Sequence, residues 1–147
     1  MRETKLREAF TMIELVFVIV VIGILASVAL PKLWVTRDDA IISKGRADIA
    51  TIRSAISTVR QKNLLEGNPS YPAILDSALV NTENEPLFTE ILDYPVYAKN
   101  TDGNWMKTGA NEYTYKVMGT GVAFDYNSSS GKFDCDHSIT HCQTLTQ

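Results

Sequence analysis

From Leu15 to Leu30 the chain reads LVFVIVVIGILASVAL, without a charge and with Ser27 as its one polar side chain. A 147-residue chain makes one domain of ordinary size, and such a domain has little need for so apolar a helix in its own core. Counted from Phe10 to Leu30 the stretch spans about 31 Å as a helix, close to the hydrocarbon thickness of a bilayer. A secretory signal has a shorter apolar region and a small-x-small cleavage site after it. Here Pro31-Lys32-Leu33-Trp34 follows instead, so a signal peptide is the poorest reading and a membrane-grade helix joined to a small polar domain the best.

Net charge is −3, which argues against a nucleic-acid-binding surface spread over the whole molecule. Cys135 and Cys142 are the two cysteines, and a pair near one chain end suits an oxidising compartment, reached across the membrane.

Glu14 is the anomaly in the apolar segment. A carboxylate at mid-bilayer costs about 2.5–3.5 kcal/mol on insertion scales and less near the interface. An anchor gains nothing from it, so an assembly role with a named partner is the sharper reading, against a plain position at headgroup level.

Ala9-Phe10-Thr11-Met12-Ile13-Glu14, followed at once by the apolar run, resembles the processing motif of type IV pilins and type II secretion pseudopilins. The match covers about the first thirty residues. Ala9 stands where that family usually has Gly. The resemblance implies cleavage between Ala9 and Phe10 by a prepilin peptidase on the cytoplasmic side, N-methylation of Phe10, and Glu14 as the fifth mature residue. Pro31 falls where many members carry a proline. The implied partners are other pilin or pseudopilin subunits through the N-terminal helix, the peptidase, an inner-membrane assembly platform and membrane lipid. No direct nucleic-acid contact, cofactor or metal is expected.

The physical chemistry of the segment agrees with this motif. Arg2, Lys5 and Arg7 hold the leader in the cytoplasm, placing the C-terminal domain in the periplasm. After cleavage, Glu14 of one subunit would neutralise the new amino group of a neighbour, and a subunit docked at the wrong height would leave a charge unpaired. Gly23 and Ser27 form a small-xxx-small pair that lets helices approach, although small residues are also simply common in membrane helices. Pro31 lacks an N–H and predicts a kink between Ser27 and Pro31. The expected division is a leader over 1–9, a transmembrane and filament-core helix over 10–31, and a periplasmic pilin-like domain over 32–147.

Beyond Pro31, Ile42, Gly45, Ile49, Ile52, Ile56 and Val59 follow 3-4 spacing and define one face of an amphipathic helix. Arg46, Arg53 and Arg60 recur every seven residues on another face, read either as a solvated stripe or as partners for acidic groups on neighbouring subunits. Gly67-Asn68-Pro69 ends the helix near Leu65. Between Tyr71 and Asn100 the pattern suggests short helices over Ala73 to Leu79 and Pro86 to Leu92, then an extended Tyr94 to Tyr97. Glu112 to Met118, Val122 to Tyr126 and Lys132 to Asp134 read as strands, with turns at Gly119 to Gly121 and Asn127 to Gly131 and a possible edge at Trp105 to Lys107. Tyr113, Tyr115, Phe124, Tyr126 and Phe133 would cover the helix. The expected fold class is α+β: a long kinked N-terminal helix packed on a small C-terminal antiparallel sheet, the pilin-like architecture.

Three local motifs carry ligand chemistry. Cys135 to Cys142 holds two Cys and two His, but His141 and Cys142 are adjacent, which suits a Cys135–Cys142 disulfide better than a zinc site. Asn100 to Asn104 has an incomplete calcium-loop ligand series and reads as a turn. Asn127-Ser128-Ser129 is a glycosylation sequon, a pattern frequent by chance. No nucleophile–base pair or phosphate-cradling loop emerges, so an enzyme is not expected. The expected function is a structural subunit of a type II secretion or DNA-uptake pseudopilus. The alternative is an anchored periplasmic binding domain that never polymerises.

Overall fold

The structure, a computed structural model, describes residues 10–147, without the side chains of 29–35. The leader therefore lies outside the described residues, and the stretch from Ser27 to Pro31, where a kink is expected, stays within one continuous helix. The chain divides into two compact units, one ending at Arg37 and the other running from Asp38 to Gln147.

Helix α1 covers Met12–Leu65. The Thr11 hydroxyl and carbonyl both accept the Glu14 N–H, at 3.3 and 3.1 Å, an N-cap that satisfies a donor with no helical partner. At the other end Asn68 N–H reaches Asn63 O at 2.8 Å and Gly67 N–H reaches Leu64 O at 3.1 Å. Gly67 sits at φ +83° between them, a Schellman stop that needs a residue without Cβ strain.

Unit 38–147 is α+β. A four-stranded antiparallel meander runs β3 (Trp105–Lys107), β4 (Glu112–Val117), β5 (Thr120–Asn127) and β6 (Lys132–Cys135), in that spatial order. A two-residue pair, β1 (Pro86–Leu87) with β2 (Val96–Tyr97), stands apart, and α2 (Thr140–Thr146) closes the chain. Alternation along the strands turns Tyr113, Tyr115, Val117, Val122, Phe124, Tyr126 and Phe133 inward, onto Ile49, Ile52 and Ile56 of α1. The rings interlock: Phe124 stacks on Phe133 at 5.3 Å, and Phe88 meets Trp105 edge-on at 5.8 Å.

Gly45 marks the closest approach of helix to sheet. A Cβ there would lie 2.6 Å from the Tyr115 ring and 2.7 Å from Leu145. Tyr115 uses that closeness to donate from its hydroxyl to Ile41 O at 2.8 Å.

The middle of the chain departs from expectation. Ala73 to Leu79 and Pro86 to Leu92 are not helices. Their backbone groups are satisfied between segments rather than along one: Ala78 and Phe88 N–H both go to the Asp76 carboxylate, and Glu90 N–H goes to Leu75 O. Leu75, Leu87 and Phe88 are buried, so the apolar spacing reflects core insertion and not a helix face. The β4–β5 turn also lies one residue earlier than expected. Met118 and Gly119 have φ of 48° and 75°, and Val117 pairs with Thr120, the two-residue loop whose twist matches its strands.

Candidate functional site

Within the N-terminal unit the described apolar side chains from Phe10 to Val28 are all exposed, among them Phe10 at 83%, Phe17 at 68%, Ile22 at 58% and Val28 at 72%. An amphipathic helix would hide one face; this one hides none, so every side requires lipid or another apolar surface. Glu14 lies in the first turn, where its charge complements the positive end of the helix dipole. Gly23 has open space where a Cβ would stand, and Ser27 turns its hydroxyl back to Ile24 O at 2.7 Å, hiding its polarity. Among the described residues no helix is long and apolar enough to cross a membrane; side-chain description of the apolar run stops at Val28.

The arginine stripe is more than a solvated face, although Arg46 is exposed. Each arginine fastens α1 to its own domain. Arg46 Nε donates to Thr144 O at 2.8 Å, at the end of α2. Arg53 donates to Phe133 O and to Asp134 Oδ1, both at 2.9 Å. Arg60 donates to the Tyr71 hydroxyl at 2.7 Å with its guanidinium 4.3 Å from the centre of that ring. Seven-residue spacing keeps all three on the flank that faces β6 and the chain end.

Beneath the sheet lies a polar centre that sequence reading missed. Lys107 and Asp76 form an ion pair at 2.7 Å with side chains 6% and 0% exposed. The carboxylate also accepts the Tyr113 hydroxyl at 2.8 Å besides its two backbone N–H donors. Four donors on two oxygens make this a satisfied network. Burial, then the Asp76 charge, pushes Tyr113 well above the ordinary tyrosine range, so its proton stays in place to donate. Burial and then Asp48 do the same for Tyr115. One signal was readable: Lys107 shares the inward parity of Trp105 on β3, a charge at a core position.

Cys135 and Cys142 form a disulfide, their Cα atoms 5.8 Å apart, so the thiols are not free to ligate zinc. The bond ties β6 to α2, an element the sequence reading left out. The apolar pair Cys142 and Leu145, three residues apart and both buried, was its available signal. Beside the disulfide, Asp134 gathers Arg53, Lys132 at 3.1 Å and His137 at 3.1 Å. Burial raises the Asp134 pKa, but hydrogen bonds from Lys132, the Cys135 N–H and His137, with the Arg53 charge, outweigh it and hold the group below the usual carboxylate range.

Asn100 to Asn104 is spent on turn chemistry. Asp102 Oδ1 accepts the Gly119 N–H at 2.9 Å, Asn104 Nδ2 donates to Thr101 Oγ1 at 2.9 Å, and Lys44 donates to Gly103 O. Among the described residues no group of three His, Cys, Asp or Glu is placed to hold a metal ion. Asn127 is exposed, and its side-chain oxygen accepts the N–H groups of Ser129 and Ser130, shaping the β5–β6 turn.

The chain is similar to type II secretion system core protein G of two bacteria. It is 35% identical to the Escherichia coli protein over 63 residues, 43% of each chain. It is 25% identical to the Pseudomonas aeruginosa protein over 136 residues, 86% of this chain and 84% of that one. The first match thus spans under half the length of its relative. No family model and no solved structure matches.

Proposed function

We propose that this chain is a type II secretion pseudopilin, a pseudopilus subunit trimmed before Phe10 and assembled through its N-terminal helix, as its similarity to two core proteins G supports. The observation that carries this reading is the helix exposed on every side. Phe17, Ile19, Leu25 and Val28, each more than half exposed, find cover in lipid before assembly and against neighbouring helices after it. The bilayer is the holding state and the filament the final one. The Arg2, Lys5 and Arg7 leader sets the N-terminus in the cytoplasm and the disulfide-bearing domain in the periplasm.

Each group then has a task. The peptidase exposes an amine at Phe10, and Glu14, four residues further along in the first turn of α1, supplies the opposite charge to the amine of an adjacent copy. Both charges are costly in lipid, so pairing selects a single axial register. The assembly platform and the remaining subunits are partners of this process. The work is mechanical, with no substrate turned over. Secretion takes precedence over DNA uptake because both relatives carry the secretion name.

The deciding measurement is the mature N-terminus, by mass spectrometry of protein from its own cells' membranes. A chain beginning at N-methylated Phe10 supports assembly. A chain retaining residues 1–9 makes this an anchored periplasmic binding domain and removes the role given to Glu14. Deleting the gene and scoring protein secretion against transformation separates the two filament systems, and no defect in either overturns both.

A further inference from the structure

Two flanks of α1 carry clefts at the same height along the helix. One runs between Ala50, Ser54 and Thr58 and the loop at Ile91 to Asp93. That loop ends in a projecting knob: Asp93 is exposed, and Tyr94 beside it is 88% exposed. Among the described residues no ion pair engages the carboxylates of Glu90 or Asp93. The other cleft, about 360 Å³, is lined by Arg53, Ser57, Lys132, His137 and Thr146 around Asp134. Arg53, Lys132 and His137 all turn to that single carboxylate, so positive charge exceeds negative there. Asp125 and Asp136 line the adjoining cleft, on the other side of Asp134 and Lys132.

We propose that the Asp93–Tyr94 knob of one copy docks into the Arg53–Lys132–His137 cleft of the next, with Glu90 at its edge. The proposal rests on the pseudopilus reading and specifies how the periplasmic domains meet. Charge complementarity supports it: an acidic knob lacking ion pairs meets a cleft with surplus cations. An exposed tyrosine beside the acid supplies the amphipathic anchor that interface centres favour. Knob and cleft are different patches of the same chain, so the contact is heterologous. Each copy uses both, and repetition propagates instead of closing into a dimer. Strand addition is not the route, because both sheet edges are occupied. Asn81 and Lys99 N–H groups take the outer carbonyls of β3, and Arg53 takes the Phe133 carbonyl of β6.

The test uses the full chain, overproduced in cells together with its secretion system. A chain carrying both Ser57→Cys and Tyr94→Cys, oxidised in the membrane, should give a ladder of multimers on a non-reducing gel, whereas either substitution alone should not. Independently of added thiols, Lys132→Glu or Asp93→Lys should each lower filament yield severalfold, and the two together in one chain should restore it. Filaments that form normally without a ladder, and single reversals without effect, overturn this docking and leave the pseudopilus reading standing. Failure of the unmodified chain to form filaments overturns that reading and the docking with it.

Discussion

At the scale of single residues, the network around Asp76 is the most consequential feature outside the N-terminal helix. Removing Lys107 leaves a buried carboxylate with three neutral donors and no countercharge. Lys107→Met should therefore cost about 3–5 kcal/mol of stability, read as a lower urea midpoint. Tyr113→Phe should cost less, about 1–3 kcal/mol, because the countercharge remains. Asp134 makes a pH-dependent contribution of determinate sign. Its folded pKa is lowered, so its stabilisation is present above the unfolded value near 3.9 and is lost as pH falls through the folded value. Asp134→Asn should lower stability at pH 7 by about 1–3 kcal/mol and flatten the loss of stability on acidification below pH ~4. A midpoint that still falls as steeply in the variant would remove Asp134 from the account. Neither Lys107 nor Asp134 announced its partner in the sequence, since 31 and 81 positions separate the pairs Lys107–Asp76 and Arg53–Asp134.

At the scale of elements, contacts between α1, the sheet and α2 decide how firmly the domain holds its helix. Gly45→Ala forces a methyl against Tyr115 and Leu145, and overpacking of that kind costs about 1–3 kcal/mol. The expected signature is a lower thermal midpoint, and a loss in the double variant with Leu145→Ala that is smaller than the sum of the two single losses, because the Leu145 contact is then relieved. The disulfide joins residues seven positions apart, and so short a loop stabilises by about 2–3 kcal/mol on the chain-entropy model. Cys135→Ser with Cys142→Ser should lose that amount and raise amide exchange in α2 first, since α2 is seven residues long and held chiefly by Cys142 and Leu145. Equal exchange across the domain would show that α2 is not the weak element. The helix, its stop at Gly67 and the strands of the four-stranded meander were legible because each follows from local spacing. The segment from Tyr71 to Asn100 was not, because its backbone groups find their partners in other segments.

At the scale of the molecule, the described side chains from Phe10 to Val28 hide nothing while unit 38–147 forms a closed core, and that contrast supports assembly. Glu14→Ala should leave the domain folded and the chain in the membrane, yet reduce its recovery in sheared filaments severalfold. Unchanged recovery would reduce Glu14 to a helix-start residue, a part it also has through the Thr11 cap.

What the sequence by itself determined is what repeats or sits close along the chain. The uncharged run, the 3-4 spacing of Ile49, Ile52 and Ile56 and the alternation of Tyr113, Tyr115 and Val117 each carry their reading within a few residues. These patterns reach far enough to give the α+β class and the division into apolar helix and polar domain. Tertiary structure alone decided that the three arginines hold the domain to its own helix, that Asp76 and Lys107 meet in the core, and that Phe88 adopts φ +62° to enter it. Those outcomes depend on which distant group a charge or a backbone N–H reaches once burial has removed water, and no local pattern encodes that distance.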